Sequence, residues 1–236
     1  MPSQPSSPAT SPSPLPALLL LLSAITGLVD AASVLGLGKV FTANMTGNVV
    51  FLGFAAAGTP GFKWSAYVVA ILAFMGGALI AGRLARQHIG RPLKAWLVRA
   101  SLLETALLWI AALIALGIEI AQLGSERTYA IIVLTGIAMG LRNATIRQLK
   151  VPDLTTTVLT LTITGLAADS SAAGGSNPNW PRRIAAVVSI FVGAVIGAWL
   201  MHVSGLAAAL GTAGLIGFVG TVAWARHPTA ATPVAG

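Results

Sequence analysis

Residues 15–37 read LPALLLLLSAITGLVDAASVLGL, an apolar run of the length that one membrane-spanning helix needs. Asp30 is the only charged residue in the run. Apolar and polar residues do not alternate along it, and only helices or closed barrels can span lipid, so the run predicts a helix. This stretch therefore predicts an integral membrane protein.

The composition of the whole chain supports this prediction. Of 236 residues, 56% are hydrophobic and 8% are charged, whereas a soluble domain carries about 25% charged residues. The net charge of +8 fits basic loops between membrane helices better than nucleic-acid binding, because no basic stripe with interleaved aromatic residues occurs. The chain has no cysteine and its three histidines lie far apart, so we expect no metal and no cofactor.

Seven further apolar runs follow, and prolines fall between or outside them, where helix breakers belong. Two of the runs are short and rich in Asn or Thr. The long runs cover residues 64–82, 96–118, 129–149, 184–202 and 206–224, and the short ones cover residues 40–57 and 154–168. The pattern predicts an all-α, polytopic membrane fold.

The order long, short, long, long occurs twice along the chain, at an offset of about 113 residues. Residues 27–31 (GLVDA) match residues 140–144 (GLRNA). We therefore predict one transmembrane domain built from two repeats. The predicted divisions are a disordered Pro/Ser-rich tail at 1–14, the domain at 15–227 with repeats at about 15–118 and 128–226, and a short C-terminal tail at 228–236.

The basic residues distinguish two topologies. If all eight runs cross the membrane, nine of the 14 Lys and Arg residues lie inside and five lie outside, among them Arg182, Arg183 and Arg226. If the two short runs enter and return, only Lys39, Lys63 and Arg127 lie outside, and the other 11 of the 14 Lys and Arg residues lie inside. The positive-inside rule favours this second topology. We predict six spans plus two short re-entrant or broken helices in two inverted repeats, with both termini cytoplasmic. Seven or eight full spans are the alternative.

Two acidic residues lie within the long runs. A carboxylate at the bilayer centre costs about 2.5–3.5 kcal/mol, so such residues are candidates for function. Asp30 is predicted to bind a proton, a cation or a substrate, unless the helix ends there and Asp30 caps it. Glu104 is predicted to join such a site or, equally, to pair with a basic residue of the neighbouring loop.

The short runs supply uncharged polar groups. In the first, Asn44, Thr46, Gly47 and Asn48 are candidate substrate contacts, and the helical spacing places Asn44 and Asn48 on one face. The alternative is that both asparagines only hydrogen-bond to neighbouring helices.

The second half offers comparable residues. Thr157, Thr160 and Thr164 follow a helical spacing, and Asn143 occupies the repeat position of Asp30. We predict Asn143 and Thr160 to belong to the binding site. The alternative for the threonines is that each hydroxyl binds the carbonyl four residues back in its own helix. Arg142 is a candidate partner for Asp30, or it reaches the cytoplasmic interface.

The segment GLVDA at residues 27–31, followed by FTANMTGN at residues 41–48 and Gly53, resembles the YoaK-like family of bacterial multi-pass membrane proteins, a domain of unknown function. The resemblance extends over nearly the whole chain after residue 16. Two positions depart from the family pattern: Arg142 stands where Gln is common, and Leu161 where Gly is common. The resemblance implies location, topology and size, and it implies no substrate.

We expect a small secondary transporter or channel-like permease for a small solute or ion, located in the bacterial cytoplasmic membrane. The alternative is a non-transporting scaffold or partner-binding subunit. An enzyme is not expected, because the chain offers no nucleophile–base pair or metal cluster in its sequence motifs. The expected partners are the lipid bilayer and, if one chain does not form a complete pathway, a second copy; nucleic acid is not among them.

Overall fold

The computed structural model describes residues 13–117, 122–151, 154 and 159–234, and regular structure in these ranges is helical apart from two isolated bridge pairs. The predicted N-terminal tail through residue 12 and the threonines at 155–157 lie outside the described residues. The main helices are α1 (Leu15–Gly36), α2 (Met45–Ala56), α3 (Trp64–Arg86), α4 (Leu93–Ala115), α5 (Ser125–Leu149), α6 (Leu159–Ala168) and α7 (Trp180–Ala225).

Five of these helices are long and apolar enough to cross a membrane, namely α1, α3, α4, α5 and α7. Helix α7 has 46 residues, and its helical geometry is interrupted at Gly205 (φ 79°, ψ −175°). A positive φ of this kind is a conformation that glycine adopts easily. We refer to residues 180–204 as α7a and to residues 206–225 as α7b; each is long enough to span the membrane.

The contacts of α1 show that the chain reverses at the break. From the N-terminal to the C-terminal part of α1, the glycine of α7a that it contacts changes from Gly193 to Gly197, so the residue numbers rise along both helices. In α7b the contacted glycine changes from Gly220 to Gly217, so the numbers fall. The two segments therefore run in opposite directions against the same helix. The described part of the chain therefore contains six segments of spanning length, as the sequence predicts.

Helix α2 is too short to cross a bilayer. Its 12 residues extend about 18 Å at 1.5 Å per residue, whereas the hydrocarbon core is about 30 Å thick. The described part of α6 has 10 residues. The structure thus favours six spans over seven or eight.

Helix α1 packs against α7a through two glycines. A Cβ atom on Gly27 would overlap the carbonyl oxygen of Ile190, and one on Gly193 would overlap the carbonyl oxygen of Ala24. Each glycine therefore admits the backbone of the other helix, as small residues do at tightly packed membrane interfaces.

Helices α3 and α5 repeat this arrangement. A Cβ atom on Gly140 would overlap the carbonyl oxygen of Phe74, and one on Gly77 would overlap that of Ile137. Gly77 thus takes the place in the second pair that Gly193 has in the first. The sequence offset between equivalent positions is therefore a few residues larger for α3 and α7a than for α1 and α5.

Hydrophobic packing brings one set of helix ends together. Leu18 of α1, Ala85 of α3, Trp96 of α4 and Trp224 of α7b belong to one cluster of buried side chains. Most of the basic residues lie at this end, which we call the basic end: Arg83, Arg86, Arg91, Lys94, Arg147, Lys150, Arg182, Arg183 and Arg226. Lys39, Lys63 and Arg127 lie at the opposite end.

The segment after α7 packs against the loop between α3 and α4. Thr232 accepts a hydrogen bond from the Leu93 amide at 2.8 Å, and Val234 exchanges hydrogen bonds with Gly90 and Arg91 at 3.0 and 2.9 Å. The described part of the predicted C-terminal tail therefore helps to close the basic end.

Candidate functional site

An ion pair lies inside the bundle, between Glu104 of α4 and Arg142 of α5. Glu104 is 6% exposed and Arg142 is 2% exposed. Arg142 Nη2 donates to Glu104 Oε1, and Arg142 Nη1 donates to the carbonyl oxygen of Leu22 in α1 at 3.3 Å. Because Glu104 is the central residue of α4, the pair lies well inside the apolar part of the bundle.

Gly217 of α7b provides the room for this pair. A Cβ atom on Gly217 would lie 3.4 Å from Arg142 Nη2 and 3.8 Å from Glu104 Oε1. A methyl group fits at that distance, but a larger side chain would extend into the pair. Four helices, α1, α4, α5 and α7b, thus meet at the two charges.

A row of hydrogen bonds joins α4 to α7b along the face of α4 that carries Glu104. Ser101 Oγ donates to the Gly217 carbonyl at 3.5 Å and Thr105 Oγ1 to that of Gly214 at 3.2 Å. Trp109 Nε1 donates to the Gly211 carbonyl at 3.1 Å. We call these residues, together with Glu104, the α4–α7b seam.

A small cavity lies next to the pair, on the side of the bundle that faces the basic end. The space open to the centre of a water-sized sphere is about 30 Å³, enough for one or two water molecules. Its polar lining consists of Ser101, Glu104, Arg142, Thr145 and Thr221. Within the described part of the chain, Arg142 Nε is buried and has no hydrogen-bond partner.

A larger groove lies at the other end of the seam. It measures about 840 Å³ and is lined by the end of α4 from Trp109, by the residues that follow α4 as far as Gly117, and by the α7 break around Gly205. Trp109 and Gly211, which form the last hydrogen bond of the seam, belong to its wall. The seam therefore joins a groove at one end of the bundle to the small cavity near the basic end.

Asp30 lies away from this pair and hydrogen-bonds to the backbone. Its Oδ1 accepts hydrogen bonds from the amides of Thr42 and Ala43 at 3.2 and 2.9 Å. The carboxylate thereby holds the segment that leads into α2. The predicted pairing of Asp30 with Arg142 is wrong, because Arg142 faces α4 and binds Glu104.

Asn48 is fully buried and binds the backbone of a single residue. Its Oδ1 accepts from the Phe41 amide at 3.0 Å, and its Nδ2 donates to the Phe41 carbonyl at 2.6 Å. Gly47 lies under the Phe41 ring, where a Cβ atom would be 2.6 Å from a ring carbon. Both residues thus fix Phe41 against α2.

Asn44 and Thr46 are exposed, and α2 begins only at Met45. Asn44 therefore precedes the first turn of the helix, while Asn48 is buried within it. The expectation that the two asparagines share one polar helix face is wrong for this reason.

The remaining predicted residues lie in the second half. Asn143 is partly buried and its Nδ2 donates to the Met139 carbonyl in its own helix at 2.9 Å. Thr160 is exposed on α6, and Thr157 lies outside the described residues. The structure does not bring the predicted residues into one site: Asp30, Gly47 and Asn48 shape the approach to α2, while Glu104 lies at the ion pair.

The sequence contains a signal for the seam. Ser101, Glu104, Thr105 and Trp109 have the spacing i, i+3, i+4, i+8 of a single helix face. The glycines at 211, 214 and 217 form a matching stripe of small residues on a second apolar run. Together they indicate two helices that pack through polar groups. Neither pattern identifies Arg142 as the partner of Glu104.

No group of three or more His, Asp or Glu residues that could hold a metal ion occurs among the described residues. The side chains of the seam and the pair offer hydroxyl, indole, carboxylate and guanidinium groups.

A bundle of apolar helices around a buried ion pair defines a polytopic α-helical membrane protein. The chain belongs to the family described as "Protein of unknown function (DUF1275)", which matches residues 18–223. It is 30% identical over 154 residues to the UPF0700 transmembrane protein YoaK of Bacillus subtilis (strain 168); the alignment covers 65% of this chain and 66% of the relative. No solved structure matches the chain. The predicted membership of a YoaK-like membrane family is confirmed.

Proposed function

We propose that the protein is a small permease of the bacterial cytoplasmic membrane that moves a small polar solute or ion along the α4–α7b seam. The observation that carries this proposal is the Glu104–Arg142 pair. Charged residues inside the membrane are costly, face the interior of a bundle or a water-filled cavity, and mark ion or substrate pathways.

The surroundings of the pair support a pathway. The small cavity lies on one side of the pair, and the groove near Gly205 lies at the far end of the seam. Between them, Ser101, Thr105 and Trp109 supply one polar group for each turn of α4. A solute moving along the seam would meet these groups in order if α4 and α7b separate.

We further propose that the two halves form an inverted repeat. The glycine contacts between α1 and α7a recur between α5 and α3. The last helix of each half is α4 or α7b, and these two pack antiparallel along the seam. Transporters of this architecture bind their substrates near the interface of the repeats, where the Glu104–Arg142 pair lies.

The distribution of charge supports an orientation. We assign the basic end to the cytoplasm, following the positive-inside rule. Both chain termini then lie in the cytoplasm, because α1 begins and α7b ends there. The groove near Gly205 and helix α2 face the outside.

Asp30 and Asn48 have a different role in this proposal. Their hydrogen bonds to Thr42, Ala43 and Phe41 hold the entry to α2, so we assign them to positioning that helix. These bonds also favour the rival function, a non-transporting scaffold, in which polar groups inside the membrane only stabilise packing.

The test is a swelling assay on proteoliposomes of the full chain. Sodium formate, sodium nitrate, glycerol and urea are offered in turn, and entry is followed by light scattering. We expect at least one solute to enter faster than in empty liposomes. If all four solutes enter no faster than into empty liposomes, the permease is contradicted.

A matched pair of variants locates the route. Gly217→Leu places a side chain in the pair, whereas Gly53→Leu makes the same change on α2, where no atom lies within 4 Å of the added Cβ. We expect only Gly217→Leu to stop entry. Equal entry through both variants would contradict a route along the seam.

A further inference from the structure

We propose that the Glu104–Arg142 site binds a small monovalent anion together with one proton. For transport, this inference rests on the proposed function; for binding, it stands on the site alone. Four features of the site carry it: its net charge, its lack of other charges, its free hydrogen-bond donors and its size.

The charge of the site depends on Glu104. A guanidinium keeps its positive charge, whereas a carboxylate becomes neutral when it takes up a proton. With Glu104 ionised, the pair is neutral. With Glu104 protonated, Arg142 is left as an uncompensated cation inside the bundle, which is costly unless an anion joins it. Proton and anion therefore favour each other at this site.

Within the described part of the chain, no other charged side chain lines the cavity. Helix α1 contributes Leu18, Leu19 and Leu22, and α7b contributes Thr221. The nearest charged residues on α4 and α5 in sequence are Arg99, which contacts His88 Nε2 at 2.7 Å, and Arg147, which is exposed. Protonation of Glu104 is thus the change that alters the charge of the site.

The free donors fit an anion. Arg142 Nε has no partner among the described residues, and Nη2, on the same edge of the guanidinium, is bound only to Glu104. Protonation of Glu104 weakens that bond and frees an edge with two parallel N–H groups. Such an edge matches a planar oxyanion in a bidentate geometry.

The size of the cavity limits the anion. About 30 Å³ of space for water-sized spheres holds one or two water molecules. Formate and nitrate are among the smallest planar, monovalent oxyanions. Phosphate and dicarboxylates are larger and carry more charge than one guanidinium compensates.

Binding is tested first on the full chain in nanodiscs, with sodium formate and sodium nitrate as probes. Thermal stability reports binding, and a pH dye in weakly buffered solution reports proton uptake. We expect one proton to be taken up per anion bound. Because one proton is linked to binding, the apparent Kd should rise as the pH rises.

Three variants separate the roles of the two residues. Glu104→Gln imitates the protonated acid, so it should bind formate at a pH-independent affinity and without proton uptake. Arg142→Gln should weaken binding by about tenfold or more, as expected for the loss of a charged hydrogen-bonding group. The double variant, which is neutral and similar in size, should not bind and keeps the test valid if Arg142→Gln alone does not fold. Arg91→Gln, at an exposed arginine of the basic end, is the control.

Some outcomes would overturn this inference and others would overturn the permease. Anion binding that is unchanged in the double variant, binding without proton uptake at every pH, or no response of the wild-type chain to either anion would overturn the inference. Binding with proton uptake but without entry into liposomes would support the inference and contradict the permease. Entry of glycerol or urea into the liposomes, together with no anion binding by the wild-type chain, would support the permease and contradict the inference.

Discussion

Glu104 of α4 and Arg142 of α5 are joined by one carboxylate oxygen and one guanidinium nitrogen, and the Nε atom of the same arginine has no partner within the described residues. The pair neutralises two charges that would each be costly inside a membrane. The arginine keeps a free donor next to a cavity large enough for water. This combination distinguishes the pair from a closed structural salt bridge, in which all donors are satisfied.

The two charges are expected to depend on each other for stability. Glu104→Gln and Arg142→Gln each leave a buried charge without its partner, which costs about 3–5 kcal/mol. The double variant removes both charges, so its loss should be clearly smaller than the sum of the single losses. Thermal unfolding in detergent, without added small anions, measures this coupling. Additive losses would mean that the two residues do not interact.

Helix packing can be tested with two adjacent glycines of α3. Gly77→Ala would drive its methyl group into the Ile137 carbonyl, whereas Gly76 has no atom within 4 Å of a Cβ. We expect Gly77→Ala to destabilise the protein by about 1–3 kcal/mol through overpacking. Gly76→Ala should be neutral or stabilising by up to about 1 kcal/mol, because alanine favours helix. Similar melting temperatures for the two variants would contradict the packing of α3 on α5.

The role of Asp30 can be tested by hydrogen exchange. Asp30→Ala removes the acceptor for the amides of Thr42 and Ala43, so both amides should exchange faster. The loss of hydrogen bonds to a charged group should lower stability by about 1.5–3 kcal/mol. Asn44→Ala, at an exposed position just before α2, is the control and should leave exchange unchanged. Unchanged exchange at Thr42 and Ala43 in Asp30→Ala would mean that the carboxylate does not hold this segment.

The topology of α2 can be tested with single cysteines, since the chain has none of its own. Lys39 and Lys63 flank α2 and are both exposed. Because α2 is too short to cross, Lys39→Cys and Lys63→Cys should both react with an impermeant maleimide added outside intact cells. Arg226→Cys should react only after the cells are opened. Labelling of the two lysine positions from opposite sides would show that α2 spans the membrane.

Much of the fold follows from the sequence. The length of each apolar run determines whether it can span, and the break at Gly205 falls between the predicted runs 184–202 and 206–224. Most of the basic residues gather at one end because they flank the same ends of successive apolar runs. These features depend on local composition, which a single sequence records directly.

The site is harder to predict, because it depends on which helices pack together. The repeat places Asn143 at the position of Asp30, and so it suggests the neighbouring Arg142 as a partner for Asp30. Arg142 is one residue further back and about 100° around the helix, since a turn takes 3.6 residues, and it faces α4. The roles of Asp30 and Asn48 could not be predicted either, because the sequence does not show whether a buried polar residue binds the backbone or lines a cavity.

The most direct test of the central claim is the entry of formate into proteoliposomes that contain the Glu104→Gln/Arg142→Gln double variant. The two glutamines nearly preserve the volume of the pair and remove both charges, so folding and transport can be separated. We predict that the variant melts within a few degrees of the wild-type chain and that formate enters no faster than into empty liposomes. Formate entry through the folded double variant at the wild-type rate, or no entry through the wild-type chain itself, would contradict the account.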